Sequence, residues 1–214
     1  MRNVKAVIFD LDGTLFDVRE LVYKQLKIIT HEFNGQEATR DQIASVLYGS
    51  IAVQIENLIH DKKHHKAAYE RGLELVLADR GKALPYDKVA DTLNLIKSFQ
   101  RQMGVLTARE PSQLNDKHFI GIHHFFETVV HAKRVENHKP HPEGLFLAMQ
   151  ELGVNPENTV MVGDTTADIC AGRAAGVMTI GVTHGFGKMA DLQDAGADHI
   201  IHDIPSLIGV LNLK

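Results

Sequence analysis

Residues 7–17 read VIFDLDGTLFD, and this segment is the main evidence for the predicted fold. The apolar run that begins at Ala6 indicates a short buried strand, and Asp10 and Asp12 come where it ends. The Gly-Thr pair that follows predicts a turn. Two carboxylates on the same side of an extended segment are costly unless a cation or a shared proton compensates. Beside a metal ion, one could act as nucleophile while the other handles protons. A polar loop after a strand is the simpler alternative.

The composition is that of an ordinary globular chain. It has 214 residues, 44% of them hydrophobic and 23% charged, which suits one α/β domain with a modest insertion. The formal net charge of -4 does not indicate nucleic acid or an anionic membrane surface as a partner. Cys170 is the single cysteine, no apolar run reaches the length of a membrane span, and the first residues show no signal-peptide core. We therefore expect a cytoplasmic location.

Strand-like apolar runs alternate with helical patterns along most of the chain. The predicted strands lie at residues 4–9, 103–106, 128–130, 160–162, 178–182 and 199–201. The predicted helices lie at residues 89–99, 143–152, 167–175, 189–195 and 206–211. Gly153 and Gly176 follow two of these helices in the usual position of a C-terminal stop. The alternation favours repeated β-α units on a parallel sheet.

Residues 18–84 interrupt this rhythm. They contain no convincing strand, whereas apolar patterns indicate amphipathic helices around residues 21–33, 51–59 and 73–77. Two glycine-containing pairs predict breaks between helices, at residues 34–35 and 49–50.

We predict that this segment is a helical cap that opens and closes over the catalytic edge. The catalytic core would then consist of residues 1–17 and 85–214. The alternative is that the same helices pack on the sheet as scaffold.

A second apolar strand also runs into carboxylates. Asp164 comes at the end of the strand predicted at 160–162, and Asp168 follows in the first turn of the next helix. Because Mg²⁺ prefers oxygen ligands, both are candidate metal ligands. Asp168 also has a structural alternative as a helix N-terminal cap. For Asp164 that alternative is weaker, since a second strand-end carboxylate beside the first is costly without a cation.

Two further loop residues suit a phosphoryl group. Thr107 directly follows the strand predicted at 103–106, where its hydroxyl and the following amides could bind phosphoryl oxygens. A β-branched residue is also ordinary in a strand, so Thr107 alone is ambiguous. Lys139 precedes the helix predicted at 143–152 and can project a point charge from a loop that flanking prolines stiffen. A lone surface lysine is usually just solvated.

Together, these motifs resemble those of the haloacid dehalogenase-like superfamily of aspartate-nucleophile phosphohydrolases. The expected order is present: D-x-D-G-T at 10–14, Thr107, Lys139-Pro140, and G-D-x-x-x-D at 163–168. The sequence AGRAAG at 171–176 and the position of the helical insertion are similar to the phosphoglycolate phosphatase-like branch. The resemblance implies an α/β, Rossmann-like three-layer core with a parallel sheet, an inserted all-helical cap, and dependence on Mg²⁺.

The resemblance also implies a role for each site residue. Asp10 would be the nucleophile that forms an aspartyl-phosphate and contacts the metal. Asp12 would be the general acid and then the general base, with its backbone carbonyl on the metal. The remaining residues divide into phosphate ligands and metal ligands: Thr107, Ala108 and Lys139 for the phosphate, and Asp164 and Asp168, the latter directly or through water, for the metal.

One position departs from the pattern. Many relatives have Asn after the second-motif hydroxyl, whereas this chain has Ala108-Arg109. Arg109 could contact a second anionic group of the substrate, such as a carboxylate or another phosphate. Alternatively, it is a solvated loop cation.

The leading functional prediction is a Mg²⁺-dependent phosphatase that hydrolyses a small phosphorylated metabolite through an aspartyl-phosphate. Alternatives on the same scaffold are a sugar-phosphate mutase, a phosphonate-cleaving enzyme that uses Lys24 or Lys27, and a non-catalytic phosphate-sensing regulator. Dehalogenation is disfavoured because Asp12 and a metal would have no task. The large helical insertion argues against a receiver-type signalling domain. Histidine spacing predicts no metalloprotease site, and the sequence leaves the oligomeric state open.

Overall fold

A six-stranded parallel sheet forms the centre of the structure, a computed structural model that describes residues 3–47, 51–79 and 81–213. Its strand order is β5-β4-β1-β6-β7-β8, and all neighbouring strands run parallel. The strands in the described residues are β1 (Ala6–Phe9), β2 (Phe16–Asp17), β3 (Leu84–Pro85), β4 (Gln102–Leu106), β5 (Thr128–Val130), β6 (Thr159–Gly163), β7 (Met178–Val182) and β8 (His199–Ile201).

The helices flank this sheet or lie in the segment inserted after β2. They are α1 (Arg19–Asn34), α2 (Arg40–Ala44), α3 (Ile51–Leu58), α4 (His65–Ala78), α5 (Val89–Ser98), α6 (Lys117–His123), α7 (Glu143–Leu152), α8 (Thr166–Ala174), α9 (Met189–Asp194) and α10 (Leu207–Val210). Across the described part of the chain, none combines the length and the apolar character needed to cross a membrane.

Helices cover both faces of the sheet, which is why β1 is apolar on both sides. Side chains alternate along a strand, so Val7 and Phe9 pack in one cluster with residues of α5, α6 and α10. Ala6 and Ile8 point the other way and pack in a second cluster with residues of α7 and α8. The predicted three-layer α/β architecture with a parallel sheet is confirmed.

The inserted segment is helical and has a hydrophobic cluster of its own. Leu26 and Ile29 of α1 pack there with Ile43 of α2 and Ile55 of α3. The strands β2 and β3 pair antiparallel where the chain leaves and rejoins the sheet region. Leu84 therefore lies in a strand, although the sequence predicted no strand within residues 18–84. The division into two domains at these limits stays a prediction.

Most predicted core elements are confirmed to within two residues. The break at residues 34–35 is confirmed, because Gly35 adopts a left-handed conformation at the end of α1. The break predicted at residues 49–50 lies outside the described residues. Helix α6 has no counterpart in the prediction; its seven residues present too short an apolar pattern, and its clearest signal is the cap at Asp116.

The strand order places the loops after β1, β4 and β6 next to one another. From β1 the chain proceeds to β4 on one side of the sheet and later to β6 on the other. The carboxyl ends of the strands beside such a switch point form the usual ligand crevice of an open α/β sheet. The fold thus brings together the loops that carry the predicted site.

Candidate active site

All eight predicted site residues meet at this edge of the sheet. Seven of them line a single cavity of about 200 Å³: Asp10, Asp12, Thr107, Ala108, Arg109, Lys139 and Asp168. The eighth, Asp164, is fully buried beside them. The structure therefore places these residues together, while their chemical roles stay predictions.

Three buried carboxylates form a cluster that fits a divalent cation. Oxygen atoms of Asp10, Asp164 and Asp168 lie within 4.8 Å of one another. The pKa of Asp10 is raised to about 7, mainly because the carboxyl is buried; Lys139 opposes this shift and the neighbouring Asp168 adds to it. Burial and the Asp10 and Asp168 charges raise the pKa of Asp164 well above its usual range. Three buried carboxylate oxygens this close together are a donor set typical of a hard cation.

Lys139 supplies part of that counter-charge. Its Nζ donates to Asp10 Oδ1 and to Asp168 Oδ1, each at 2.6 Å, and to the backbone carbonyl of Leu106 at 3.2 Å. Burial lowers the pKa of Lys139, but the two carboxylates outweigh this and raise it, so the ammonium stays charged. The alternative of a solvated surface lysine is wrong, because the side chain is only 12% exposed.

Two donors that sequence reasoning did not assign hold Asp164 in place. The hydroxyl of Thr14 donates to Asp164 Oδ1 at 2.9 Å, and the amide of Phe186 donates to Oδ2 at 2.8 Å. Gly13 has φ +88, and a β-carbon there would overlap the Asp164 carboxylate. Within the D-x-D-G-T motif, Gly13 thus leaves room for the Asp164 carboxylate, and Thr14 donates a hydrogen bond to it.

Asp168 takes part in the cap of α8 and also lies in the carboxylate cluster, while its role as a metal ligand stays a prediction. One carboxylate oxygen accepts from the amide and hydroxyl of Thr165, which forms a capping box at the start of α8. The other oxygen faces Lys139. Helix capping therefore orients the side chain that enters the carboxylate cluster.

Arg109 is held by carboxylates on two sides. Its Nε donates to Asp12 Oδ2 at 2.9 Å and an Nη donates to Asp12 Oδ1 at 2.6 Å, while the other Nη donates to Asp116 at 2.9 Å. The guanidinium also lies over the Phe16 ring, 5.2 Å from its centroid. Burial lowers the pKa of Arg109, but Asp12 and Asp116 outweigh this and raise it.

The alternative of a solvated loop cation at Arg109 is wrong, since this residue is only 8% exposed. Asp116 was not among the predicted site residues; it caps α6 through the amides of His118 and Phe119. Direct contact of Arg109 with substrate stays a prediction.

The loop after β4 forms the remaining wall. Thr107 is buried, and its hydroxyl oxygen accepts from the amide of Arg109 at 3.1 Å. Thr107 and Ala108 line the cavity on the same side as Lys139 and also border a small neighbouring pocket. This arrangement is consistent with the predicted phosphate-binding role of these residues.

Replacement of Arg109 by Lys is expected to lower kcat roughly ten- to hundredfold, because a lysine cannot reproduce the two-point contact that orients Asp12. KM for a small substrate should change much less. Steady-state kinetics measure both constants. Arg134→Lys is the matched control, since Arg134 pairs with Glu151 away from the cavity. Equal losses in both variants would contradict a positioning role for Arg109.

The raised carboxylate pKa values predict a pH dependence of stability and metal binding. In the metal-free folded protein, Asp10 keeps its proton up to about pH 7, whereas in the unfolded chain it loses that proton near pH 3.8. The contribution of Asp10 to the free energy of unfolding therefore falls as pH rises from about 4 to about 7. Mg²⁺ must displace such protons. Added Mg²⁺ should therefore raise Tm more at pH 8 than at pH 5.5.

Thermal unfolding with EDTA or with Mg²⁺ at the two pH values measures this effect. Asp164→Asn should abolish most of the Mg²⁺-dependent rise in Tm, whereas Asp191→Asn, at an exposed position on α9, should keep it. A rise in Tm that is equal at both pH values, or unaffected by Asp164→Asn, would count against a cation in this cluster.

Comparison with protein families places this geometry among known proteins. Residues 7–182 match the family model described as haloacid dehalogenase-like hydrolase. That range begins in β1, three residues before Asp10, and runs to the end of β7, so it includes all eight predicted site residues.

Individual relatives cover almost the whole chain. The pyrophosphatase PpaX of Bacillus velezensis is 31% identical over 222 residues, which cover 100% of this chain and 99% of the relative. The phosphoglycolate phosphatase of Chromobacterium violaceum is 28% identical over 222 residues, which cover 99% and 98%. A crystal structure of a predicted phosphoglycolate phosphatase from Haemophilus somnus superimposes with a TM-score of 0.86 at 20% identity, covering 98% of this chain and 99% of that one.

Proposed function

The chain belongs to the haloacid dehalogenase-like hydrolase family, and we propose that it is a Mg²⁺-dependent phosphatase that hydrolyses a small phosphorylated metabolite through an aspartyl-phosphate. One observation carries the proposal. The Asp10 carboxylate lines the cavity, 2.6 Å from the Lys139 ammonium and within a cluster of two further buried carboxylates. A nucleophile, a cation and metal ligands beside one cavity are what phosphoryl transfer requires.

Binding places the phosphoryl group against the charged end of the cavity. The Lys139 ammonium balances part of the substrate's negative charge. The Thr107 hydroxyl and the loop through Ala108 offer hydrogen bonds to phosphoryl oxygens. When bound, Mg²⁺ would be held by Asp10, Asp164, Asp168 and the backbone carbonyl of Asp12, and it would supply charge that neutralises the phosphoryl oxygens.

In the first step an Asp10 carboxylate oxygen forms a bond to phosphorus as the bond from phosphorus to the leaving oxygen breaks. Asp12 donates a proton to that oxygen, which departs as an alcohol. Arg109 holds the Asp12 side chain at the cavity wall. The different positions of the two carboxylates thus allow Asp10 to act as the nucleophile and Asp12 as the acid.

In the second step water attacks the phosphorus of the aspartyl-phosphate. Asp12, now a carboxylate, accepts a proton from that water, and the bond between Asp10 and phosphorus breaks. Inorganic phosphate leaves, Asp10 is regenerated, and Asp12 again holds the proton for the next leaving group.

We also propose that residues 18–84 act as a cap over this chemistry. Residues of α1, α3 and α4 line the cavity opposite the catalytic edge. The Tyr69 hydroxyl of α4 donates to Glu110, next to Arg109, which ties the helical segment to the loop after β4. A cap that closes over the site excludes water that would compete with the transfer to Asp10.

Phosphate release from acetyl phosphate and p-nitrophenyl phosphate tests the proposal. We expect release with Mg²⁺ and none with EDTA. Conversion of a sugar 1-phosphate to its 6-phosphate without phosphate release would favour a mutase instead. Phosphate binding without turnover of any substrate would favour the regulator.

A further inference from the structure

The cavity has two chemically different ends. The end at the sheet carries Asp10, Lys139 and Thr107, which the proposed function assigns to the phosphoryl group. The opposite end is formed by the helical segment and must receive whatever the phosphoryl group is attached to. Its side chains therefore indicate the class of leaving group.

The opposite end is mainly apolar. Leu21, Val22 and Ile29 of α1 line it together with Ile51 of α3 and Val76 of α4. Apolar walls favour a leaving group with apolar surface, because that surface is removed from water on binding. They disfavour a charged leaving group, because the charge would lose its hydration.

The cations that line the cavity in the described part of the chain are already paired. Lys139 lies between Asp10 and Asp168, and Arg109 lies between Asp12 and Asp116. A second anionic group on the substrate would have to compete with these carboxylates for its counter-charge.

A carboxylate belongs to the cap side of the lining as well. Asp79 lines the cavity, where its Oδ2 accepts from Gln25 Nε2 at 2.9 Å and its Oδ1 accepts from Lys82 at 2.6 Å. These bonds lower its pKa, Lys82 contributing most, so Asp79 is ionised at neutral pH. The pair of Asp79 and Lys82 therefore offers a second anionic group no uncommitted positive charge.

On these contacts, and resting on the proposed phosphatase function, we infer that the substrate is a phosphomonoester whose leaving group is uncharged and largely apolar. The relatives named pyrophosphatase and phosphoglycolate phosphatase have names that denote substrates with a second anionic group. This chain is expected to discriminate against such substrates.

A matched pair of substrates tests the inference with the full-length protein and Mg²⁺. Phenyl phosphate and 4-carboxyphenyl phosphate differ by one carboxylate at the end that reaches the apolar wall. We expect kcat/KM to be at least about tenfold higher for phenyl phosphate. Inorganic pyrophosphate and 2-phosphoglycolate should be hydrolysed no better than 4-carboxyphenyl phosphate. A kcat/KM equal to or higher than that of phenyl phosphate, for any of the three substrates with a second anionic group, would overturn the inference.

A pair of variants tests whether the apolar end of the cavity causes this substrate preference. Leu21→Ser places a polar group at the cavity and should lower kcat/KM for phenyl phosphate severalfold, while acetyl phosphate, with its small leaving group, is affected much less. Val53→Ser is the matched control, since Val53 is similarly half-buried on α3 but lies outside the cavity lining of the described residues. Equal effects of the two substitutions on phenyl phosphate would overturn the assignment of this wall.

Failure of the inference and failure of the proposed function give different results. Hydrolysis of acetyl phosphate together with a preference for anionic substrates would overturn the inference alone. Absence of phosphate release from every substrate, acetyl phosphate included, would overturn both.

Discussion

Asp10→Asn is expected to lower kcat for phosphate release by roughly 10⁴-fold or more, a loss typical of removing a covalent nucleophile. An amide oxygen of nearly the same shape is a poor nucleophile toward phosphorus and cannot form the aspartyl-phosphate. The substitution also removes a negative charge from a cluster in which burial raises the pKa of the carboxyl. We therefore expect the variant to fold, and activity to be lost for chemical reasons.

Single-turnover experiments with acid quenching and mass spectrometry test this result directly. Wild-type protein should carry a phosphoryl group on Asp10, and the variant should carry none. Asp191→Asn, on the exposed face of α9, serves as the matched control and should keep wild-type kcat. Full activity of Asp10→Asn would remove Asp10 from the nucleophile role.

Asp12→Asn is expected to lower kcat roughly 10²- to 10⁴-fold, the range of general acid-base catalysis. The Asp12 side chain points to Arg109, and the cluster that could hold a metal ion among the described residues consists of other carboxylates. Mg²⁺-dependent stabilisation should therefore survive this substitution. With acetyl phosphate, whose leaving group needs little protonation, formation of the aspartyl-phosphate should be affected less than its hydrolysis.

Two measurements separate these effects. Thermal unfolding with and without Mg²⁺ should show the same shift in Tm for Asp12→Asn and wild type. Acid-quenched Asp12→Asn should accumulate phosphorylated protein during turnover of acetyl phosphate. Unchanged turnover would exclude Asp12 as the acid-base residue, and loss of the Mg²⁺ effect would instead assign its carboxylate to the metal.

The sheet could be predicted because its strands are apolar runs bounded by polar residues or glycine. β1 is buried on both faces, so its four residues are apolar without alternation, which is an unambiguous pattern. The short strands β2 and β3 could not be predicted in this way. Each has two residues, and their pairing depends on contacts between segments that are distant in the sequence.

The acidic residues of the site were also predictable, because each follows a strand or opens a helix that the sequence itself marks. The surroundings of Arg109 were not. Asp12 lies 97 residues from Arg109, and Asp116 caps a helix too short to predict. Whether Arg109 is solvated or buried depends on which carboxylates the fold brings to it, and local sequence does not contain that information.

Local hydrophobic patterns and spacing thus specify the order of the strands along the chain, the carboxylates at their ends and the helical insertion. The pairing of the charges, in contrast, depends on the tertiary structure. In the folded protein Lys139 lies between Asp10 and Asp168, and Arg109 forms ion pairs with Asp12 and Asp116. The apolar wall of the cavity also forms only when the inserted helices pack beside these residues. Pairing of buried charges requires contact within a few ångströms, and such contacts arise only when distant segments pack together.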